Sequence, residues 1–269
     1  MKNTYCNLPG AIIHLKTKPG SVAYRKQYAL PEAYRSAVLD QIETWLQEGV
    51  IERAPSHTSW NSPILCVKKK DSFGNYTYAK PRVVCDVRLV NQLLIVNDRQ
   101  QLPLISEIHQ RIGSAPIHTI LDIHACFTSF KVADEDREKL SFTCPYTNRQ
   151  MRFIKACYGI SFVGSVVQRN LTTLFEDLPY VNVYVDDIVV STFPPLSYHA
   201  DCVAEVTKRL TSANLVLNPD KIVFAQQSIH ILGWSLIKGK LIPDPRKVAS
   251  LESWPKMTTG RHIQRFSGL

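Results

Sequence analysis

From Val181 to Val190 the chain is rich in β-forming residues but is broken in its middle by two adjacent acids, Asp186 and Asp187. Such a pattern predicts two short strands joined at an acidic turn. Neighbouring carboxylates in apolar surroundings repel and raise each other's pKa. A bound divalent cation removes that conflict and a solvated turn avoids it, so Tyr184-Val185-Asp186-Asp187 taken alone admits both readings. A third acid bears on the choice. Asp122 follows Ile117-His118-Thr119-Ile120-Leu121, and so ends a strand that can lie beside the hairpin. One carboxylate from a strand and two from a neighbouring turn make an oxygen-rich site of the kind Mg²⁺ prefers. Two such ions, about 4 Å apart, activate an attacking hydroxyl and stabilise a leaving oxygen in phosphoryl transfer. The other acidic cluster, Asp134-Glu135-Asp136, has polar neighbours and is expected as a solvated turn.

The rest of the chain mixes helical and strand patterns without βαβ regularity, which predicts an α+β fold. Residues 1–30 look extended, punctuated by Pro9-Gly10 and Pro19-Gly20. Pro31 can open a helix carrying Val38, Ile42 and Leu46, which Gly49 can cap. Ile64-Leu65-Cys66-Val67 and Arg82-Val83-Val84-Cys85 flank a loop around Gly74 and predict a hairpin. A helix is expected over 164–178, with Val167, Leu171, Leu174 and Leu178 on one side, and another through Val203, Val206 and Leu210. The last strands are expected at 229–237 and 240–242, followed by one helical segment in the tail.

Lys and Arg outnumber Asp and Glu by 32 to 23, a net charge of +9 that suits a polyanionic partner as well as a merely basic protein. No apolar run approaches the roughly 20 residues of a membrane helix, and the first residues lack a secretory signal. The expected partners therefore include no membrane. Seven scattered cysteines with no Cys-x-x-Cys predict reduced, mostly buried thiols in an intracellular protein.

An ordered set of motifs then runs from about His14 to the last residue. It comprises Glu48-Gly49-Val50-Ile51-Glu52, Trp60-Asn61-Ser62-Pro63, Val67-Lys68-Lys69-Lys70-Asp71 and Arg82-Val83-Val84-Cys85-Asp86-Val87-Arg88-Leu89-Val90-Asn91. Leu121-Asp122-Ile123, Tyr158-Gly159 with Gln168, and Tyr184-Val185-Asp186-Asp187 follow. Leu217-Asn218-Pro219-Asp220-Lys221, Leu232-Gly233-Trp234, Pro243-Asp244-Pro245-Arg246-Lys247-Val248 and Trp254-Pro255 complete it. Together they resemble the reverse transcriptase domain of long-terminal-repeat retrotransposon Pol polyproteins of the Gypsy/Ty3 type and, more distantly, of retroviruses.

The resemblance implies a right-hand polymerase fold. Residues 1–35 form an extended N-terminal segment, 36–99 and 132–156 the fingers, 100–131 and 157–243 the palm, and 244–269 the truncated start of a thumb. It implies an RNA-directed DNA polymerase that adds deoxynucleotides to a primer 3′-hydroxyl using two Mg²⁺ ions, with Mn²⁺ as a substitute. Asp122, Asp186 and Asp187 occupy the metal positions, with the backbone of Ile123. Lys69 and Arg82 match the grip on the triphosphate. Phe127 matches the aromatic beneath the sugar that excludes a 2′-hydroxyl, and Tyr158, Gln168 and Lys221 also match nucleotide positions, Lys221 as proton donor to pyrophosphate. Tyr184, Ile231, Leu232, Gly233 and Trp234 match the primer and template contacts. Asp86, Arg88 and Asn91 are expected to shape the fingers. The implied partners are an RNA or DNA template with primer, deoxynucleoside triphosphates, and a ribonuclease H and other Pol domains in a longer chain. The implied setting is cytoplasmic, including virus-like particles.

Some positions depart from the family pattern. Ala125-Cys126-Phe127-Thr128-Ser129 follows the first aspartate where a Gly, an aromatic and His-Gln are usual, and Cys157 and Gly164 stand where prolines are expected. These changes touch the nucleotide pocket and remove no metal-site carboxylate. Two other readings therefore stay open: a catalytically decayed or domesticated nucleic-acid-binding module, and a metal-dependent nuclease using the same carboxylates.

Overall fold

The computed structural model describes residues 4–55, 58–70, 76–95, 100–237, 239–245, 248, 256 and 258–267. Its elements are α1 (Arg35–Gln47), β1 (Ile51–Arg53), β2 (Ile64–Lys70), β3 (Tyr76–Cys85), α2 (Arg88–Leu93), α3 (Ile105–Ile112) and β4 (Ile117–Asp122). There follow β5 (Ser141–Thr143), β6 (Gln150–Phe153), α4 (Val163–Leu174), β7 (Val181–Tyr184), β8 (Asp187–Thr192) and α5 (Leu196–Ser212). The chain continues through β9 (Val223–Gln226), β10 (Ser228–Ile231), β11 (Trp234–Ile237), β12 (Lys240–Pro243) and α6 (Gly260–Ser267).

Helix α1 shows how local sequence sets an element. Val38 and Ile42 are buried on one face. Gly49 takes φ 62, its N–H donates to Leu46 O and that of Val50 donates to Trp45 O. The paired bonds form a Schellman cap, which favours glycine at the left-handed position.

The sheet that matters for function has the order β7-β8-β4-β9. Side chains alternate between its faces. Leu121, Val183, Ile188 and Val190 join the larger core with Leu171 of α4 and Val206 and Leu210 of α5. Val189 belongs to a second cluster with Ile108 and Ile112 of α3 and Ile229, Ile231 and Leu236 of β10 and β11, and Ile120 packs against it. Because both faces of β8 are covered, its middle, Ile188-Val189-Val190, reads as a continuous apolar run. Elsewhere β1 pairs with β6 and β6 with β5, joining two stretches about a hundred residues apart. The N-terminal segment is extended as expected, but it is also built into the core. Ile13 and Leu15 are fully buried, and Ile13 bridges to Val132.

Several expectations need correction. The helix expected over 164–178 ends at Leu174. Leu178 precedes Pro179, which disfavours helical backbone at that residue. The single strand expected at 229–237 is a hairpin, because Leu232 and Gly233 take φ 50 and 79 and turn the chain back. The acidic cluster at 134–136 is not wholly solvated: Asp136 is buried, accepting from the backbone of Leu15 (2.7 Å) and from Lys139 Nζ (2.6 Å). The paired hairpin β2–β3 forms as expected, while its tip around Gly74, and Arg246, Lys247, Trp254 and Pro255, lie outside the described residues. All seven cysteines are free, and all but Cys66 are buried. Among the described residues no helix is long and apolar enough to cross a membrane.

Candidate active site

Antiparallel pairing of β4 with β8 places Asp122 directly opposite Asp187. Pairing of β7 with β8 leaves Val185 and Asp186 as a two-residue turn between Tyr184 and Asp187. Asp186 is exposed, while Asp122 and Asp187 are half-buried at the sheet end. The three aspartates thus meet at one corner, as the sequence pattern anticipates.

The turn is held in a costly shape. Val185 has φ 53, a left-handed conformation disfavoured by about 1–2 kcal/mol for a side chain with Cβ. The side chain of Gln168, on α4, lies directly beneath it. Its Oε1 accepts from the Val185 N–H (2.8 Å), and its Nε2 donates to Val183 O (3.1 Å) and Thr172 Oγ1 (3.1 Å). A glutamine amide has two donor hydrogens, and both are engaged here. The resemblance set Gln168 beside the nucleotide; the fold sets it in the core, 3% exposed.

Lys221 faces the acids. Asn218 donates its N–H to Asp122 O (2.9 Å) and accepts from Asp220 N through its side chain (3.3 Å), opening a short 3-10 turn at Pro219–Lys221. That turn carries Lys221 Nζ to 3.1 and 3.0 Å from the two carboxylate oxygens of Asp122. The hydrogen bond to Asp122 holds the ammonium pKa above its usual range. Asp187 is pushed up, first by burial and then by Asp186 and Asp122, with Lys221 opposing. The backbone of Ile123 lies within the same corner, its N–H donating to Asp186 O at 3.4 Å.

A second set of side chains gathers beside the acids. Phe127 and Tyr158 pack with ring centroids 5.2 Å apart. Burial raises the Tyr158 phenol, Asp186 adds to the rise, and Arg82 opposes it, so all three share one electrostatic neighbourhood. Gly159 has φ 105, and a Cβ there would meet Val87 Cγ2 at 3.2 Å, so the Tyr158-Gly159 turn needs glycine. Asn91 fixes that turn by donating to Gly159 O (2.7 Å) and accepting from Ser161 N (3.1 Å). Asp86 is buried and pairs with both Nε and Nη2 of Arg88 at 2.7 Å. The Lys69 side chain lies outside the described residues, although its backbone belongs to β2.

The residues expected at the primer form the β10–β11 turn. Leu232 and Tyr184 pack on the second core cluster, and Ile231 is part of it. Trp234 meets His109 of α3 edge to face at 5.9 Å. Neither His109 nor Val185 stood out in the sequence, because an apolar-spaced histidine and a valine in a strand run carry no visible signal.

A metal fits this donor set only in part as it stands. The three carboxylates are a hard-oxygen set with one lysine as counter-charge. Their oxygens, however, are not all within 4.8 Å of one another, the spacing met among the described residues by His14, Glu135 and Asp136. One ion could not be caged by all three aspartates without movement. The His14 cluster has a structural explanation, since Asp136 already serves Leu15 and Lys139.

The sequence signature described as reverse transcriptase (RNA-dependent DNA polymerase) matches residues 67–236. The chain is 29% identical over 258 residues to the Retrovirus-related Pol polyprotein from transposon 297 of Drosophila melanogaster, covering 95% of this chain and 24% of that one. Identity is also 29% over 259 residues to the polyprotein from transposon gypsy of the same organism, with 95% and 24% covered. The Transposon Tf2-3 polyprotein of Schizosaccharomyces pombe is 25% identical over 245 residues, 90% of this chain and 17% of that one. The chain thus spans about a quarter or less of the length of these relatives. Among solved structures, the foamy viral protease-reverse transcriptase in complex with double-stranded DNA superposes with TM-score 0.81 at 20% identity, covering 98% of this chain and 44% of that one. The same protein with an RNA/DNA hybrid gives TM-score 0.81 at 18% identity, over 98% and 34%. These likenesses identify the fold as the right-hand polymerase fold. On the signature, which covers more than half its length, the chain belongs to the reverse transcriptase family.

Proposed function

We propose that this chain is the polymerase core of a retrotransposon Pol polyprotein and an RNA-directed DNA polymerase. The observation that carries the reading is Asp122 opposite Asp187 with Asp186 at the adjoining turn. Pairing of β1 with β6 supports drawing the fingers from 36–99 and 132–156, with the palm from 100–131 and 157–243 and a thumb beginning at 244. Asp122, Asp186 and Asp187 would hold two Mg²⁺ ions, or Mn²⁺ in their place, with the Ile123 backbone alongside. When bound, such ions neutralise the phosphates and activate the primer hydroxyl.

The chain's own side chains supply the rest. Arg82, beside Tyr158 and Asp186, presents a fixed fork of donors to the triphosphate of a deoxynucleotide, and Lys69 is assigned to the same grip. Phe127, propped by Tyr158, blocks a ribose 2′-hydroxyl. Lys221 keeps its proton at neutral pH and offers it to the departing pyrophosphate. Tyr184 and the 231–234 hairpin, on the face shared with Asp122 and Asp187, receive the primer end. The net charge of +9 favours a template-primer duplex, whose affinity falls steeply with salt. The relatives are polyproteins, which supports linkage to ribonuclease H and other Pol domains.

Primer extension on RNA and DNA templates, with Mg²⁺ and separately Mn²⁺, tests the reading. Templated incorporation on both is expected. Duplex binding without incorporation would make the chain a binding module, and metal-dependent cleavage of the duplex would make it a nuclease.

A further inference from the structure

The aspartate turn has a mechanical problem that its own sequence does not solve. A two-residue hairpin loop favours positive φ at its first central position, where glycine is the comfortable choice. Here that position is Val185, at φ 53. Its side chain is half-buried against the larger core, which explains the apolar residue but not how the backbone is kept in place. The residue that follows is Asp186, so any relaxation at Val185 redirects that carboxylate and shifts Asp187 against Asp122.

Gln168 supplies the missing constraint. It sits on α4, 17 residues before the turn, and its carboxamide is anchored at three points: Val185 N (2.8 Å), Val183 O (3.1 Å) and Thr172 Oγ1 (3.1 Å). Two of these hold the hairpin backbone on either side of Tyr184, and the third fixes the amide to its own helix. With both donor hydrogens engaged and 3% exposure, the side chain has no free donor to offer a nucleotide. We propose that Gln168 is a positioning residue that clamps the strained Val185 turn, so that Asp186 and Asp187 are presented together to the catalytic metals. This rests on the polymerase reading, while the clamp itself is open to a measurement that needs no activity.

Gln168→Met keeps the length and most of the volume but removes all three hydrogen bonds. Amide hydrogen exchange at Val185 should then become markedly faster than in the parent. In primer extension, kcat should fall roughly 10–100-fold, the cost of a small misplacement at a reacting centre. The Mg²⁺ concentration for half-maximal rate should rise, with KM for deoxynucleotide and affinity for duplex near parental values. Gln168→Glu keeps an acceptor for the Val185 N–H but loses the donor to Val183 O; exchange at Val185 and kcat should fall between those of the parent and the Met variant, and it stands in should the Met variant not fold. A raised nucleotide KM with parental Val185 exchange and Mg²⁺ requirement would overturn the proposal, as would parental exchange in the Met variant or exchange in the Glu variant faster than in the Met variant. An inactive parent would instead refute the polymerase reading, and the exchange data would still decide the clamp.

Discussion

Strands β4 and β8 lie side by side from Ile117↔Thr192 to Asp122↔Asp187, and their two ends are built on opposite principles. At the acid end two carboxylates face each other across the strands and a third sits in the turn. Like charges directly opposite destabilise a sheet, and Lys221 is the cation that meets Asp122. At the far end the polar groups are equally unusual for a sheet centre, yet mutually satisfied. His118 Nδ1 lies 2.9 Å from Ser191 Oγ, and His199 of α5 joins Thr119 Oγ1 and Thr192 Oγ1 at 2.7 Å each. Thr119 also accepts from Ala225 N at 3.0 Å, tying β9 into the network. One end keeps an unresolved electrostatic conflict where a ligand would relieve it, and the other uses buried polar groups to fix register. Strain and unrelieved charge are what single out the acid end as the candidate site.

The largest test of this contrast is Asp186→Asn. Incorporation should drop by at least about 100-fold, the scale of losing one electrostatic partner of the transition state, while duplex binding is retained. In the same region Asp187→Asn should raise the melting temperature without divalent metal, because it removes a raised-pKa carboxylate from its repelling neighbours. A lowered melting point would mean the acid end is not in conflict.

His199→Ala probes the other end. It leaves two threonine hydroxyls without their partner and opens a cavity at a fully buried site, a loss of about 3–4 kcal/mol. Chemical denaturation should show that loss, with parental specific activity in the folded fraction. A stable variant would show that the network is dispensable.

Phe127→Ala defines how far the acid end reaches. The ratio of kcat/KM for ribonucleotide to deoxynucleotide should rise about tenfold or more, and an unchanged ratio would reduce Phe127 to a packing residue against Tyr158.

Acid should act on the two ends with opposite sign. Burial lowers the pKa of His118 and His199 from 6.5, and their proximity adds to the shift at His118. The unfolded chain therefore binds more protons below about pH 6.5, and stability falls as pH drops through that value toward the folded pKa values. Asp187, with its raised pKa, is relieved by protonation and contributes the reverse, at lower pH. Melting curves from about pH 7.5 to about pH 5.5 should fall in the parent and fall less steeply in His118→Gln, where His199 and His109, also lowered by burial, still titrate. A parental slope in that variant would place the titration elsewhere.

The smallest effect is expected from Lys221→Ala. Its side chain is 61% exposed, and exposed pairs contribute about 0–1 kcal/mol. Stability should barely move, while pyrophosphate release should slow if Lys221 supplies the proton. An unaltered rate would leave Lys221 as a simple counter-charge to Asp122.

Much of this was legible because it is local. The Schellman cap at Gly49 follows from one glycine placed after a helical apolar stripe. The strand ending at Asp122 and the hairpin around Asp186-Asp187 follow from β-rich runs broken by acids. The hairpin of β2 and β3 follows from two such runs flanking a polar loop. What escaped was either masked by apolar uniformity or fixed at long range. The β10–β11 turn was hidden because Leu232 is a poor turn residue, and Asp136 looked solvated because one of its two partners, the Leu15 backbone, lies 121 residues away.

The sequence by itself marked α1, the β2–β3 hairpin, the strand ending at Asp122, the acidic hairpin and the helices α4 and α5, since period, caps and unpaired charge are properties of neighbouring residues. The tertiary structure decided that Asp122 faces Asp187, that Val185 adopts a left-handed backbone, and that Gln168 serves the turn from beneath. Those depend on strand register and on side chains reaching across elements. Contacts of that kind are selected by the energy of the whole packed sheet, and no short stretch of sequence encodes them alone.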